Sequence, residues 1–332
     1  MAGLRLDQIQ AYNKDMYKYE RIGETLKEAI FPKIYKVKSE GVTGMGDKFT
    51  QKLSAGALKR HTVEGEVVDY ESPMAGWTSQ VRYWTYSAGL TFSYEAVRDV
   101  IKMKDIVKDF SSTWGDEIRV AKEEMAAAAF NHGGDLLGEW VFNGSFDGNT
   151  DASGDMLYDS EPLFNLVGNT NTTKGGGTYY NSVAAAYAAG AILPSHFSTL
   201  YNLMTATNNR DELDRPSENK PDTVVCKPGA DFDSIWTVLQ SDQIANSQLN
   251  DKNIWKGRIK DIVAWDYITQ SAIYIGKAKS DLMLFEERSR PAMDFFEHKP
   301  TKGYMADVIT AFGVHFKPGC RRLWVRGGGT SA

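Results

Sequence analysis

The residue types that carry out acid–base, metal or nucleophilic chemistry are present but widely spaced. The five histidines show no HExxH spacing, and Cys226 and Cys320 form no CxxC pair. No G-x-S-x-G nucleophile elbow occurs. A catalytic site would therefore have to be assembled from residues that are distant in sequence.

Two loops resemble ligand sites in composition only. The segment NGSFDGNTDASGD at 143–155 lacks the glycine and the distal glutamate of an EF-hand at the needed offsets. Gly175–Gly177 is not closed by a Gly-Lys-Ser/Thr sequence and follows no predicted strand, so it is not a phosphate loop. The carboxylates at 211–214 lie in a polar loop, where we expect a solvated surface. We therefore expect no metal, no cofactor and no enzyme activity, which favours a structural protein.

The composition is that of an ordinary soluble protein with room for two cores. The 332 residues are 42% hydrophobic and 24% charged, and no apolar run approaches the roughly 18 residues that a membrane span needs. Aromatic residues make up 12% of the chain, so cores or contacts with other chains must cover them. No secretory signal opens the chain and the two cysteines fit a reducing cytoplasm.

The charge is uneven along the chain. Residues 1–60 hold 12 Lys/Arg and 7 Asp/Glu, a net of +5, which leaves −10 for the remainder of a chain whose total is −5. A basic arm and an acidic body could attract one another between subunits, or the arm could simply be solvated. The overall balance argues against a dedicated nucleic-acid binder.

The segment 103–131 predicts one long amphipathic helix, which the rest of the chain would use as a scaffold. Its apolar residues recur at steps of three and four, and its length would be about 42 Å. They are Ile106, Val107, Phe110, Trp114, Ile118, Ala121, Met125 and Ala128. Gly115 lowers the helix propensity by roughly 1 kcal/mol and could mark a bend. An ordinary long core helix is the alternative interpretation.

The N-terminal part predicts a helix and a hairpin that both need a partner. Asp7–Ile30 forms a helix ended by Pro32, an arm that packs on something else. Alternating runs at 62–70 and 79–86, with Pro73 and Gly76 as turn formers between them, predict a long hairpin with Trp77 at its tip. A lone hairpin is marginal in water, so the parent domain or a neighbouring subunit must cover it.

The second half alternates between helices and strands. A short helix should follow Ser93, and another should begin at Pro194. The polar segment 210–221 marks a domain boundary. Strands are predicted at 223–226, 259–265, 272–275, 282–285, 308–316 and 321–326. A helix with Phe232, Ile235, Trp236 and Leu239 on one face follows the first of them.

The order of these parts resembles the major capsid proteins of tailed bacteriophages, which have the Hong Kong 97 fold, and within them the group around the Mu-like major head subunit. The resemblance covers nearly the whole chain. It rests on YSAGLTFSYEAVRD at 86–99, AAAAFN at 126–131, FNGSFDGNTDASGDMLYDSEPLFN at 142–165, DRPSENKPDTVVCKPG at 214–229 and ADVITAFGVHFKPGCRRLWVRGG at 306–328.

The resemblance implies an α+β fold with four parts. These are an N-terminal arm (1–44), an extended loop (45–90), a peripheral domain built on the long spine helix (91–221 and 281–319) and an axial domain (222–280 and 320–332). The extended loop of one subunit would lie over its neighbour's peripheral domain. We therefore predict inter-subunit contacts at Lys52, Lys59, Arg60, Met74, Trp77, Tyr83, Trp84 and Tyr86.

The resemblance also implies the partners. Pentamers and hexamers would form an icosahedral shell around packaged double-stranded DNA, contacted non-specifically, with a portal protein and possible separate scaffold and decoration proteins. The shell would be assembled in the bacterial host cytoplasm and would become the virion capsid. We carry over no Lys–Asn crosslink chemistry. The alternatives are the same-fold shell of a bacterial protein nanocompartment and a soluble enzyme with a convergent site.

Overall fold

The computed structural model describes residues 6–39, 42, 48–53, 75–81, 83–93, 103–133, 163–165, 171–173, 175–183, 192–243, 252–298 and 303–328. The chain forms two compact units. The first contains 1–46, 82–127 and 284–314, and the second contains 47–81, 128–283 and 315–332. The division into arm, extended loop, peripheral and axial domains concerns roles in an assembly and stays a prediction.

The first unit is a four-stranded sheet covered by the long helix. The sheet has the order β1 (Lys36–Lys38), β11 (Met283–His298), β12 (Gly303–Phe316) and β4 (Trp84–Phe92). Helix α3 (Met103–Asn131) has the predicted bounds and turns its apolar face toward the sheet. The shared core consists of Met16, Val107, Phe110, Trp114, Ile118, Met293, Phe295, Tyr304, Ala306 and Val308.

The N-terminal helix α1 (Leu6–Thr25) packs on its own unit. The hydroxyl of Tyr17 accepts a hydrogen bond from the backbone N–H of Met293 at 3.1 Å, and Oδ1 of Asn13 accepts one from Phe295 at 2.7 Å. These bonds satisfy N–H groups along β11. The helix ends at Thr25, short of the predicted Ile30, and Pro32 lies in a separate turn, α2 (Phe31–Ile34).

Two glycines let α1 approach α3 closely. A Cβ added to Gly115 would lie 2.2 Å from the carbonyl oxygen of Glu20, and one added to Gly23 would lie 2.0 Å from that of Ser112. Real Cβ atoms essentially never come so close to backbone atoms, so neither position admits a larger residue without a shift. The close packing against α1 gives a reason for a glycine at position 115, and the suggested bend there stays a prediction.

The second unit is a five-stranded sheet with helices against it. The order is β7 (Ser182–Val183), β13 (Trp324–Gly328), β10 (Ala272–Gly276), β8 (Thr223–Cys226) and β9 (Asp261–Ala264). Helices α4 (Pro194–Asn202), extended by a π-helical turn at 203–207, and α5 (Ala230–Gln240) supply the rest of the core. Every residue of β8, β10 and β13 is buried, which explains the largely apolar composition of β8 and β10. β13 also buries the charged residue Arg326.

The predicted hairpin strand at 79–86 is wrong, because the chain divides there between two sheets. β3 (Ala75–Gln80) pairs with β2 (Lys48–Lys52), while β4 pairs with β12 from Trp84↔Phe312 to Phe92↔Tyr304. Gly76 and Trp77 therefore lie within a strand and not at a turn. The other predicted hairpin strand, 62–70, lies outside the described residues.

Other predictions shift in extent or cannot be compared with the structure. The strands predicted at 282–285 and 308–316 are parts of the longer β11 and β12, and residues 320–323 form a 3-10 turn that delays β13 to 324. The loop 143–155 and the short helix after Ser93 lie outside the part of the chain that the structure describes. A two-stranded pair, β5 (Asn171–Thr172) with β6 (Thr178–Tyr179), was not predicted.

Candidate assembly surface

The β2–β3 ribbon is the described part of the predicted extended loop. Its register runs from Lys48↔Gln80 to Lys52↔Ala75, with an irregularity after Thr50. The hydroxyl oxygens of Thr50 and Thr78 lie 3.1 Å apart across the two strands. Residues 54–74 connect the two strands at the Lys52–Ala75 end.

The base of this ribbon is fixed to the end of β12 within the second unit. Ser79 Oγ lies 3.2 Å from His315 Nε2, and both side chains are buried. The Lys317 ammonium lies 4.8 Å from the centre of the Phe49 ring, in cation–π geometry. Leu53 and Val81, which flank the two strands, are also buried. The ribbon therefore starts from a well-packed base.

Of the predicted contact residues on the ribbon, two are described. Trp77 is half-buried within β3, and Lys52 is exposed at the end of β2. Met74, Lys59 and Arg60 lie outside the described residues. A part for any of these five in contacts between subunits stays a prediction.

Three further predicted contact residues belong to the first unit and not to the ribbon. Tyr83 is buried and donates a 2.6 Å hydrogen bond to Glu286 Oε2. Tyr86 stacks on Phe312 with ring centres 4.6 Å apart. Trp84 is half-buried and lies opposite Phe312 in the ladder. Their own chain covers these side chains in part, and a part for them in contacts between subunits stays a prediction.

The environment of Tyr86 disfavours its ionised form. Burial, with a smaller contribution from the negative charge of Glu124, raises its pKa to about 12. The phenol therefore stays neutral at any physiological pH, and Tyr86 functions as a packing residue.

Strand β4 forms an outer edge of the four-stranded sheet, among the strands that the structure describes. Ser87 to Thr91 are five consecutive exposed residues. Beside them, a groove of about 190 Å³ runs between β4, β12 and α3 and is lined by residues including Tyr86, Trp114 and Ile118. An edge strand presents unpaired backbone groups that an extended segment of another chain can bind.

Two exposed apolar residues of the second unit were missed by sequence reasoning. Trp236 on α5 is 51% exposed and Ile254 is 59% exposed. We predicted Trp236 on the apolar face of its helix, but Asp231, Ile235, Val238 and Leu239 are the buried residues there. The spacing Ile235–Val238–Leu239 could have indicated this face, with Trp236 outside it.

The carboxylates at 211–214 are structural rather than solvated. Glu212 is buried, and its Oε1 lies 3.2 Å from Nη2 of Arg322. The Asp214 carboxylate accepts hydrogen bonds from the Thr173 hydroxyl and the Gly177 N–H, each at about 3 Å. A Cβ on Gly177 would lie 2.4 Å from that carboxylate, so the absence of a side chain at Gly177 lets Asp214 pack closely against this turn.

Neither metal clusters nor membrane-spanning helices occur in the described ranges. No group of three or more His, Cys, Asp or Glu residues there is placed to hold a metal ion. None of the described helices is both long and apolar enough to cross a membrane.

Comparison with known proteins identifies the fold. No protein-family model matches the sequence, and no curated protein matches it. Three solved structures each cover 92% of this chain with a TM-score of 0.53. They are the capsid of the Cyanophage P-SCSP1u (10% identity, 89% of that chain), the capsid of Ralstonia phage GP4 (8%, 92%) and the capsid of an empty GTA particle computed with C5 symmetry (10%, 97%).

This chain therefore has the α+β fold of tailed-phage capsid proteins, as predicted from the order of its parts. The likeness extends over nearly the full length of both partners in each comparison. At 8–10% identity it concerns the fold alone.

Proposed function

We propose that this protein is a major capsid protein whose copies assemble, as pentamers and hexamers, into the icosahedral shell of a tailed bacteriophage. The observation that carries the proposal is the match of 92% of the chain to phage capsid subunits. The shell encloses packaged double-stranded DNA, and the protein acts as a structural component without catalysis.

Two features of the first unit and the ribbon support assembly. The β2–β3 ribbon has a packed base and leads into 54–74, whose chain length is enough to reach another subunit. If extended at about 3.3 Å per residue, half of this segment would reach roughly 35 Å. The β4 edge and its groove offer a surface to which an extended segment can bind. Trp236 and Ile254 offer a second apolar contact surface, since assembly interfaces bury exposed apolar side chains.

The parts of the chain would divide these tasks. The extended loop (45–90) covers the peripheral domain of a neighbour, and the axial domain (222–280 and 320–332) lines the centre of each pentamer or hexamer. A portal protein occupies one vertex, and scaffold or decoration proteins are further partners of the shell. The particle is assembled in the host cytoplasm and the protein ends in the virion.

Electron microscopy of the purified protein tests the proposal. We expect closed icosahedral particles of uniform diameter, alone or with the scaffold protein supplied. Nuclease-protected DNA in particles isolated from infected cells would support a phage head. A protein cargo without DNA would instead indicate a nanocompartment, and monomers under every assembly condition would contradict a shell function.

A further inference from the structure

A cluster of charged side chains lies where α1 docks on α3 and β11 in the first unit. The Lys122 ammonium of α3 lies 2.6 Å from Glu24 Oε1 of α1 and 2.8 Å from Glu287 Oε1 of β11. One cation therefore binds two carboxylates from two different elements. Lys122 is itself only 5% exposed, whereas the Glu24 side chain is 34% exposed, so the contact ties α1 to α3 while water reaches it from the glutamate side.

A third carboxylate lies in the same interface without such a partner. Glu20 is 3% exposed, and its Oε1 has no hydrogen-bond partner among the described residues. It cannot move away easily, because its own carbonyl oxygen packs against Gly115, where α1 and α3 are closest. Among the described residues, the interface thus brings three carboxylates to Lys122, while the other buried cation of α3, Arg119, is bound to Asp116.

The charges that face Glu20 come from both helices. On α1 these are Glu24, which repels an ionised Glu20, and Arg21, which is exposed. On α3 the facing charge is Lys122, which is already bound to Glu24 and to Glu287 of β11. Burial, followed by repulsion from Glu24, raises the pKa of Glu20 from 4.5 to about 7, and Lys122 and Arg21 offset this only in part.

We propose that a proton on Glu20 controls how firmly the N-terminal helix docks on the spine helix. With the proton bound, the neutral carboxylic acid fits the buried site and α1 stays docked. When the proton leaves, a second uncompensated negative charge is buried beside Glu24, and α1 undocks more often. This proton-dependent docking takes place within one subunit and does not require that the chain forms a shell.

The direction of the pH effect follows from proton binding in the two states. Docked Glu20 holds its proton up to about pH 7, whereas Glu20 of an undocked, solvated helix loses it near 4.5. Docking is therefore strongest below pH 4.5 and weakens as the pH rises from 4.5 to about 7. Above about pH 7 it no longer changes with pH.

Hydrogen exchange of the full-length chain tests this inference. Between pH 5.5 and 8, after correction for intrinsic exchange, we expect the opening of the α1 amides to increase on the order of tenfold, while α5 amides in the same sample stay constant. Glu20→Gln should abolish the pH dependence. The control Glu117→Gln removes an exposed carboxylate of α3, the helix on which α1 docks. This variant should show the same pH dependence as the unmodified protein.

A second variant keeps the inference testable if Glu20→Gln does not fold. Glu24→Gln removes the repulsion but leaves Lys122 bound to Glu287, so the midpoint of the α1 transition should move to lower pH. Opening of α1 that does not depend on pH in the unmodified protein would overturn the inference. An unchanged transition in Glu20→Gln would overturn it as well, since another group would then carry the effect.

Discussion

At the scale of single residues, the docking of α1 on the spine helix depends on the absence of a side chain at Gly115. The carbonyl oxygen of Glu20 occupies the space that a Cβ would need. Close approach of two helix backbones brings the buried Glu20 and the partly exposed Glu24 close to Lys122. Packing and electrostatics at this crossing are therefore set by the same few residues.

Gly115→Ala distinguishes the effect of packing from that of helix propensity, because the two predict opposite changes in the free energy of unfolding. Propensity alone would stabilise the helix by about 1 kcal/mol. The clash at 2.2 Å should instead destabilise the protein by about 1–3 kcal/mol. Thermal or urea unfolding measures the difference. Gly89→Ala is the control, since its nearest contact is an ordinary 3.6 Å; stabilisation by Gly115→Ala would contradict the packing role.

The sequence alone indicated which residues are unusual here but not why. Gly115 stood out as a defect in a helical pattern, yet its reason lies in α1, more than 90 positions away along the chain. Glu212 looked like one carboxylate in a polar loop, whereas Arg322 makes it a buried ion pair. Such partners come from the tertiary fold, and local spacing carries no information about them.

Trp77→Asp should reduce assembly more than it reduces subunit stability. The side chain is half-buried in β3, so the exposed part is available to a neighbouring subunit, where a charge would be costly. Sedimentation measures assembly, and thermal unfolding measures stability. Ala75→Asp, an exposed position on the same strand, is the control. Equal losses of assembly and stability would place Trp77 in the core of its own subunit.

At the scale of elements, the chain between Lys48 and Phe92 divides its strands between two sheets. The alternating pattern correctly indicated β-structure at 79–86, but it could not reveal the break at 81–83 or the partner of each strand. Register depends on which faces are buried, and Ser79–His315 and Tyr83–Glu286 fix it through residues over 200 positions away. The long helix, in contrast, was predicted with its observed bounds because its signal is local.

A deletion can now be placed so that it spares both sheets. Replacing 54–74 with a turn of about four residues retains the Lys52↔Ala75 pair and all of β4. We expect a folded subunit with nearly unchanged circular dichroism that forms no closed shells by electron microscopy. Normal particles from this variant would show that the segment has no part in joining subunits.

At the scale of the whole molecule, the fold was predictable from the order of arm, extended loop, spine helix and terminal strands. No single motif identified it, and no protein-family model matches the chain, which shares its fold with three capsid structures at 8–10% identity. Which residues form the contacts between subunits stays a prediction.

The central claim is that many copies of this chain form a closed shell, and cryo-electron microscopy of assembled particles measures this most directly. The account predicts icosahedral particles in which 54–74 of one subunit contacts the first unit of its neighbour beside β4. Particles in which this segment contacts only its own subunit, or a protein that stays monomeric under all assembly conditions with scaffold supplied, would contradict it.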